Sequence, residues 1–570
     1  MFSGDMEKRW VLKTVAAQEA VDKLAEDIKV DEVIARLLIS RGIETYADAR
    51  TFFRPQLSQL HDPFLMKDMR KAVDIIELAI RNNESILIYG DYDVDGTTAV
   101  AVLYRFLKHY HEQIGYYIPD RHKEGYGLSL QAIDWAVAQN YKLIITLDCG
   151  ITAVDQVDYA NEMGLQVIIT DHHLPADLPR AAAILDPKQA DCPYPFKDLS
   201  GCGVGFKLAQ AFSERNGLDI QVLHQYLDLV AVSIAADIVP MTGENRVLAH
   251  FGLKKLNENP AYGLKAIINI CCDRKDLGVT DIVFNIAPRI NAAGRMGDAK
   301  NAVELLLSNN MEEANARAQV INETNTDRRD VDATITKEAF QLAEGEANFA
   351  DRRTTVVYGA DWHKGVIGIV ASRLVEAYYR PTVVFSHTEG RLTGSARSVN
   401  GFDIHNAISQ CAEFVDQFGG HKYAAGLTLK EGNVKAFSDK FEEVVRNSIQ
   451  DDQLLPFVDI DQEINLKDIS PRFFRVLKQF APFGPGSMLP VFMSKNVFSN
   501  GFVRVVGENH LQISIQQENS ISFSVIAFGQ AEHYNLISKG IPFNVVYVIE
   551  ENTWRGVTSM KLNIKDIKFE

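Results

Sequence analysis

Between residues 84 and 187 the chain repeats one unit: a short β-branched and aliphatic run, an acidic or polar turn, then an amphipathic stretch of helical spacing. The runs are Ser85–Tyr89, Gly115–Ile118, Lys142–Leu147, Gln166–Thr170 and Ala182–Leu185. Runs such as LIIT and VIIT do not alternate apolar with polar, so both faces of each strand need cover, and the intervening helices supply it. The pattern predicts an α/β fold built on a parallel, doubly wound sheet. In such a sheet ligands bind beyond the carboxyl ends of the strands. The residues just after each run therefore carry the greatest functional weight.

The remaining chain divides by rhythm. Residues 225–340 read as helical, with LVAVSIAADIV apolar on most sides and a long charged stretch beginning at MEEANARAQV. A second, smaller α/β module follows from about Thr354 to Asn447. Beyond it come short alternating strands such as HLQISIQQ and FNVVYVIEEN, which predict a small closed barrel of the OB type. The expected boundaries are an N-terminal helical segment over 1–69, the parallel α/β domain over 70–305, a connecting helix over 306–350, the smaller α/β domain over 351–450 and the barrel over 451–570.

Acids stand where the sheet would present them. Asp91, Asp93 and Asp95 follow the run ILIY, and alternate carboxylates in an extended segment fall on one side. Asp148, Asp171-His172-His173 and Asp186 follow later runs, and Asp237 ends a strongly apolar helix. Hard divalent cations take such oxygen ligands, with imidazole as a further donor. Helix capping is the alternative reading of each acid alone; convergence at several strand ends favours metal.

Charge and composition exclude several classes. A formal net charge of -16 over 570 residues argues against a protein that coats nucleic acid through a broad basic surface, though not against a local basic track. Six cysteines show no CxxC pair, so neither a disulfide framework nor structural zinc is implied. No apolar stretch approaches the ~18 residues of a membrane helix, and the expected location is the cytoplasm.

The sequence DYDVDGTTA, then Asp148, DHH, Asp237 and GGHKYAAG, resembles the DHH phosphoesterase superfamily with its DHHA1 partner domain. DRHKEGYGL, PRINAAGRMGDA, GSARS and the C-terminal barrel look like its RecJ branch, across about residues 70–570. The resemblance implies a 5′-to-3′ exonuclease specific for single-stranded DNA and dependent on Mn2+ or Mg2+, two ions per site. It implies Asp93, Asp95, Asp148, His172 and Asp237 as metal ligands, Asp148 as their bridge and His173 as a contact to the scissile phosphate. Many superfamily members place a histidine ligand where this chain has Tyr89, and Asp91 is the expected substitute.

Substrate contacts are expected elsewhere. Ser395 and Arg397 in GSARS pair a hydroxyl with a guanidinium, suited to a phosphate, with Gly394 permitting close backbone approach. The glycines of GGHKYAAG, Gly420 among them, let backbone N–H groups face an anion, and His421 adds a donor. Arg121 and Arg289 are further candidates, and Arg121, Ser395 and Arg397 are the expected sensor of the 5′ end. The chain is expected to act as a monomer, with single-strand-binding protein and a RecQ-type helicase as partners that the resemblance suggests. Two rivals remain: a phosphodiesterase of short oligonucleotides or cyclic dinucleotides, which needs no barrel, and a non-catalytic scaffold, which needs no intact acids.

Overall fold

The computed structural model describes residues 6–569 apart from 15, 122, 274, 275, 347, 389, 519, 555 and 556. His122 of the DRHKEGYGL motif and residues 1–5 of the N-terminal segment lie outside the described residues. The chain forms two compact units, one from residues 47–327 and 480–488, the other from 1–46, 328–479 and 489–570.

The first unit is built on an all-parallel sheet in the order Ile114–Tyr117, Ser85–Gly90, Tyr141–Leu147, Gln166–Thr170, Ala183–Leu185. Successive residues of one strand go to opposite cores. Ile86, Ile88, Leu143 and Ile145 pack with the helices Met69–Arg81, Val94–Lys108, Gly201–Arg215 and Leu227–Ala236, while Leu87, Tyr89 and Ile144 pack with Leu130–Ala138 and Val154–Glu162. This is why the runs never alternate: neither face meets water. The sheet is doubly wound, as its sequence pattern predicts.

The second unit holds a five-stranded sheet in the order Gln417–His421, Ala424–Lys430, Arg391–Arg397, Thr382–Thr388, Thr355–Gly359, of which the last two strands pair in parallel. The helix Ile367–Tyr378 covers one face through Val370 and Leu374, and Val434–Ser448 covers the other through Phe437 and Phe441. The barrel runs through Val491–Val506, His510–Gln516, Phe523–Ala527, Val557–Lys568 and Phe543–Trp554, and closes because Phe543–Trp554 pairs back onto Val491–Val506. The C-terminal barrel is thus a closed five-stranded one.

Two features depart from the expected organisation. The segment 1–69 is not only helical: Arg9–Leu12 is a strand, paired in parallel with Phe457–Ile460, and residues 47–69 group with the other unit. Four residues, of which only Trp10 is partly buried, carry no periodicity by which to read a strand. The connecting helix is a single element of 35 residues, Met311–Gly345, and the division between units falls inside it. Among the described residues no helix is long and apolar enough to cross a membrane.

Candidate metal centre

The strand Ser85–Gly90 gives way to the helix Val94–Lys108 within three residues. Asp93 ends the turn as helix cap, its carboxylate accepting the Gly96 N–H at 3.0 Å. Asp91, Asp93 and Asp95 therefore do not line one side of an extended segment, as their alternation suggested: Asp91 is in the turn, Asp93 caps and Asp95 is in the first helical turn. A Cβ on Gly96 would lie 2.5 Å from the Asp91 carbonyl oxygen, so only glycine lets the turn fold this tightly.

The start of a second helix, Gly201–Arg215, fixes two of the acids. Asp95 accepts the backbone N–H groups of Gly201 at 2.7 Å and Cys202 at 2.8 Å, together with the Ser233 hydroxyl at 2.7 Å. A helix N-terminus is a natural partner for a carboxylate. Asp148 leaves its strand with φ +60°, a left-handed conformation that a side chain seldom adopts and that clusters at functional sites. A Cβ on Gly201 would come 2.5 Å from the Asp148 Cβ. The glycines of SGCGVGF carried this signal in the sequence.

In DHH the aspartate is spent on the loop itself. Asp171 accepts the N–H of Ile151 at 2.9 Å, the N–H of His172 at 2.7 Å and lies 2.7 Å from His173 Nδ1. His172 Nε2 then lies 3.2 Å from Asp148, 3.6 Å from Asp237 and 3.8 Å from Asp95. These approaches are close but misaligned for hydrogen bonding. Both ring nitrogens of His172, Oδ1 of Asp148 and Oδ1 of Asp91 are buried without a hydrogen-bond partner.

Three sets of potential ligand atoms gather within 4.8 Å of one another: Asp91, Asp93 and Asp148; Asp95, His172 and Asp237; Asp148, His172 and His173. Asp148 and His172 each stand in two of the three, and of the pair only the carboxylate has two oxygens to offer. Burying several acids without partners costs far more than burying them around cations. The donor set, oxygen with one or two imidazoles, fits hard or borderline divalent ions.

Electrostatics agree. Burial, then the neighbouring carboxylates, push Asp91, Asp93 and Asp148 above the usual carboxylate range, and Asp237 up to about 8. Burial holds His172 below its ordinary value, so its ring is neutral and ready to donate a lone pair. For His173 burial works downward but the hydrogen bond and charge of Asp171 outweigh it and lift the ring to about 9. Tyr89, at the position of the missing histidine, points away: its hydroxyl donates to the Gly127 carbonyl at 2.7 Å.

In the other unit, the Arg397 guanidinium donates to the Ser395 hydroxyl at 3.0 Å and to the Ala396 carbonyl at 2.8 Å. Gly368, at the start of the helix Ile367–Tyr378, comes so near that a Cβ would lie 2.9 Å from Arg397 Nη2 and 3.0 Å from Ser395 Oγ. Gly394 has a different task from the one expected, since its Cβ would lie 2.5 Å from the Phe385 ring and the glycine serves internal packing. GGHKYAAG forms a hairpin in which Gly419 pairs with Gly426 and Gly420 with Ala425. Gly420 has φ +143° and a Cβ there would meet the Ala424 carbonyl at 2.4 Å; His421 is exposed on the same edge strand.

Residues 85–234 match the model of the DHH family N-terminal domain, 351–447 the DHHA1 domain and 460–566 the RecJ OB domain. The single-stranded-DNA-specific exonuclease RecJ of Bacillus subtilis is 37% identical over 98% of this chain and 70% of its own length, and that of Escherichia coli 32% identical over 99% and 100%. The chain belongs to the RecJ family. The fold agrees with a crystal structure of RecJ in complex with Mn2+ from Thermus thermophilus, with a TM-score of 0.85 at 26% identity, covering 99% of this chain and 80% of that one.

Around the acids this RecJ-family chain carries a rim that sequence reading only half found. Arg121 lies 5.0 Å over the Tyr92 ring. Tyr126, not singled out from sequence, stands 54% exposed, its hydroxyl 3.4 Å from both the Asp148 carbonyl and His173 Nδ1. A tyrosine in a glycine-flanked turn gives no periodic signal. Arg289 is largely engaged, donating to Asn322 at 2.9 Å and to the Asn285 carbonyl at 2.7 Å.

Proposed function

We propose that this chain is a 5′-to-3′ exonuclease that hydrolyses phosphodiester bonds of single-stranded DNA with two Mn2+ or Mg2+ ions, in DNA recombination and repair. The observation that carries the reading is the convergence of buried, unpartnered carboxylate and imidazole atoms at the strand ends of a chain that matches RecJ along its length.

Asp91, Asp93, Asp148, Asp95, His172 and Asp237 would hold the cations. When bound, such ions neutralise the phosphate, acidify the attacking water and stabilise the leaving oxygen. The chain's own residues do the rest. Asp171 orients His173 and keeps its ring protonated at neutral pH, so that an N–H faces the phosphate. Asp95 is locked by three donors and keeps its geometry without help from substrate. Tyr126 and Tyr92 offer rings for a terminal base, and stacking tolerates any base.

Ser395 and Arg397 supply a phosphate clamp in the second unit, with the first turn of Ile367–Tyr378 beside it, and sense the 5′ end; Arg121 offers the strand a guanidinium in the first unit. The barrel supplies further binding surface for the strand. The chain acts as a monomer, with single-strand-binding protein and a RecQ-type helicase as collaborators. Digestion of end-labelled single- and double-stranded DNA with and without Mn2+ tests the reading: loss of the 5′ label from single strands only, and only with metal, is expected. Equal attack on both ends, or release of mononucleotides from dinucleotides alone, would replace it with the short-oligonucleotide reading.

A further inference from the structure

Asp237 occupies a place that does not suit it. It directly follows the helix Leu227–Ala236, whose terminal carbonyls disfavour a negative charge. The next residue, Ile238, has φ +59°, the left-handed position at which helices commonly stop on glycine. A β-branched residue is strained there, and Ile238 gains no burial in return, being 63% exposed. Strain of this kind persists only where the surroundings impose it.

The surroundings include a segment from far along the sequence. Residues 480–488 belong to the same compact unit as Asp237. The Pro485 carbonyl accepts the N–H of buried Met241 at 2.7 Å. Gly484 and Gly486 press against the same stretch, for a Cβ would lie 3.0 Å from Met241 Cβ at the one and 3.1 Å from Thr242 Cγ2 at the other. The segment is tied down by Arg246, buried, which donates to the carbonyls of Phe480 at 2.9 Å, Ala481 at 3.0 Å and Pro482 at 3.1 Å, with its guanidinium carbon 3.7 Å over the Phe52 ring. The Asn245 amide donates to the Pro240 carbonyl at 3.0 Å. The turn that leaves Asp237 is thus held at Pro240 and Met241, and a guanidinium whose donors are spent on carbonyls is committed to structure.

We propose that residues 480–488, anchored by Arg246, form a strap that holds the strained turn at Ile238 and thereby aims the Asp237 carboxylate at the cation it shares with Asp95 and His172. Arg246 and Ile238 are then positioning residues. The inference rests on the reading of Asp237 as a metal ligand. Freed from the strap, the turn takes several conformations and Asp237 meets the cation in few of them.

Three full-length variants, Ile238→Gly, Arg246→Lys and Asp237→Ala, test this by Mn2+ titration in a calorimeter, by thermal melting without metal and by steady-state cleavage of single-stranded DNA. Ile238→Gly keeps the left-handed backbone accessible without strain, so its metal-free melting temperature should not fall. Its Mn2+ Kd should rise about tenfold, as expected when a ligand loses its support. Arg246→Lys should weaken Mn2+ similarly with a lower melting temperature, and both variants should regain kcat at saturating Mn2+ with KM for DNA unchanged. Mn2+ binding within about twofold of the parent in a folded Arg246→Lys, while Asp237→Ala loses it, would overturn the strap and leave the ligand reading standing. Unchanged Mn2+ binding in Asp237→Ala would overturn both. Should Arg246→Lys fail to fold, Gly484→Ala decides in its place, since a Cβ there would lie 3.0 Å from Met241 Cβ and push the strap off the turn.

Discussion

The acid cluster of the first unit and the Ser395–Arg397 patch of the second both suit phosphate chemistry, yet they are finished to different degrees. Around Asp148 and His172, buried atoms lack hydrogen-bond partners and the carboxylates repel one another. At Arg397 the guanidinium already donates to Ser395 and Ala396 at a half-buried surface. A site that is unfavourable when empty is built for a resident occupant; a site satisfied when empty is built for a visitor that comes and goes. On the proposed function the first would hold cations and the second a strand that must move on after each cut.

The largest test of that contrast is Asp148→Ala. Cleavage should fall by roughly a thousandfold or more, the several kcal/mol that metal charge contributes, while circular dichroism and metal-free melting are retained because a repelled buried charge has been removed. Metal-dependent cleavage surviving in this variant would sink the assignment. Next, His173→Ala should lower kcat by about a hundredfold, the cost of one preorganised donor, with Mn2+ affinity less affected. Arg397→Ala should leave kcat on long strands near the parent value but raise KM about tenfold, the loss of a charged hydrogen bond, and reduce the distinction between 5′-phosphorylated and circular strands. An unaltered end preference would remove Arg397 from the sensor.

The smallest effect is on pH. Asp237 titrates near 8 in the folded chain against about 3.9 unfolded. A raised carboxylate pKa means stability that is fully present below the unfolded value and lost as pH climbs through 8. Metal-free melting temperature should therefore decline from pH 5 to pH 8, and the stabilisation given by added Mn2+ should grow over the same interval, since binding needs the ionised acids. A metal effect independent of pH would mean that the cluster is not the binding site.

The difference between the two sites also explains what the sequence could reveal. Strand runs and the acids after them are local patterns, so the parallel sheet and the cluster from Asp91 to Asp237 were legible. What each acid does was not. Asp95 and Asp171 look equivalent to their neighbours in the text, but one is tied to the N-terminus of Gly201–Arg215 and the other to Ile151 and His173, contacts between residues up to 107 positions apart. Tyr126 was missed because an exposed ring in a turn has no period. In sequence Gly394 reads as a point of close backbone approach, whereas the Phe385 ring already fills the space beside it.

The parallel pairing of Arg9–Leu12 with Phe457–Ile460 sets a schedule for synthesis. Lys13 and Asp461, joined by an ion pair of 2.9 Å, lie 448 residues apart, so the first strand leaves the ribosome ~20–90 s before its partner exists. Throughout that interval its backbone is an unpaired edge, a template for wrong pairing. A nascent chain of this kind gains from a chaperone at its N-terminus, or from slow codons placed after the partner strand rather than before it.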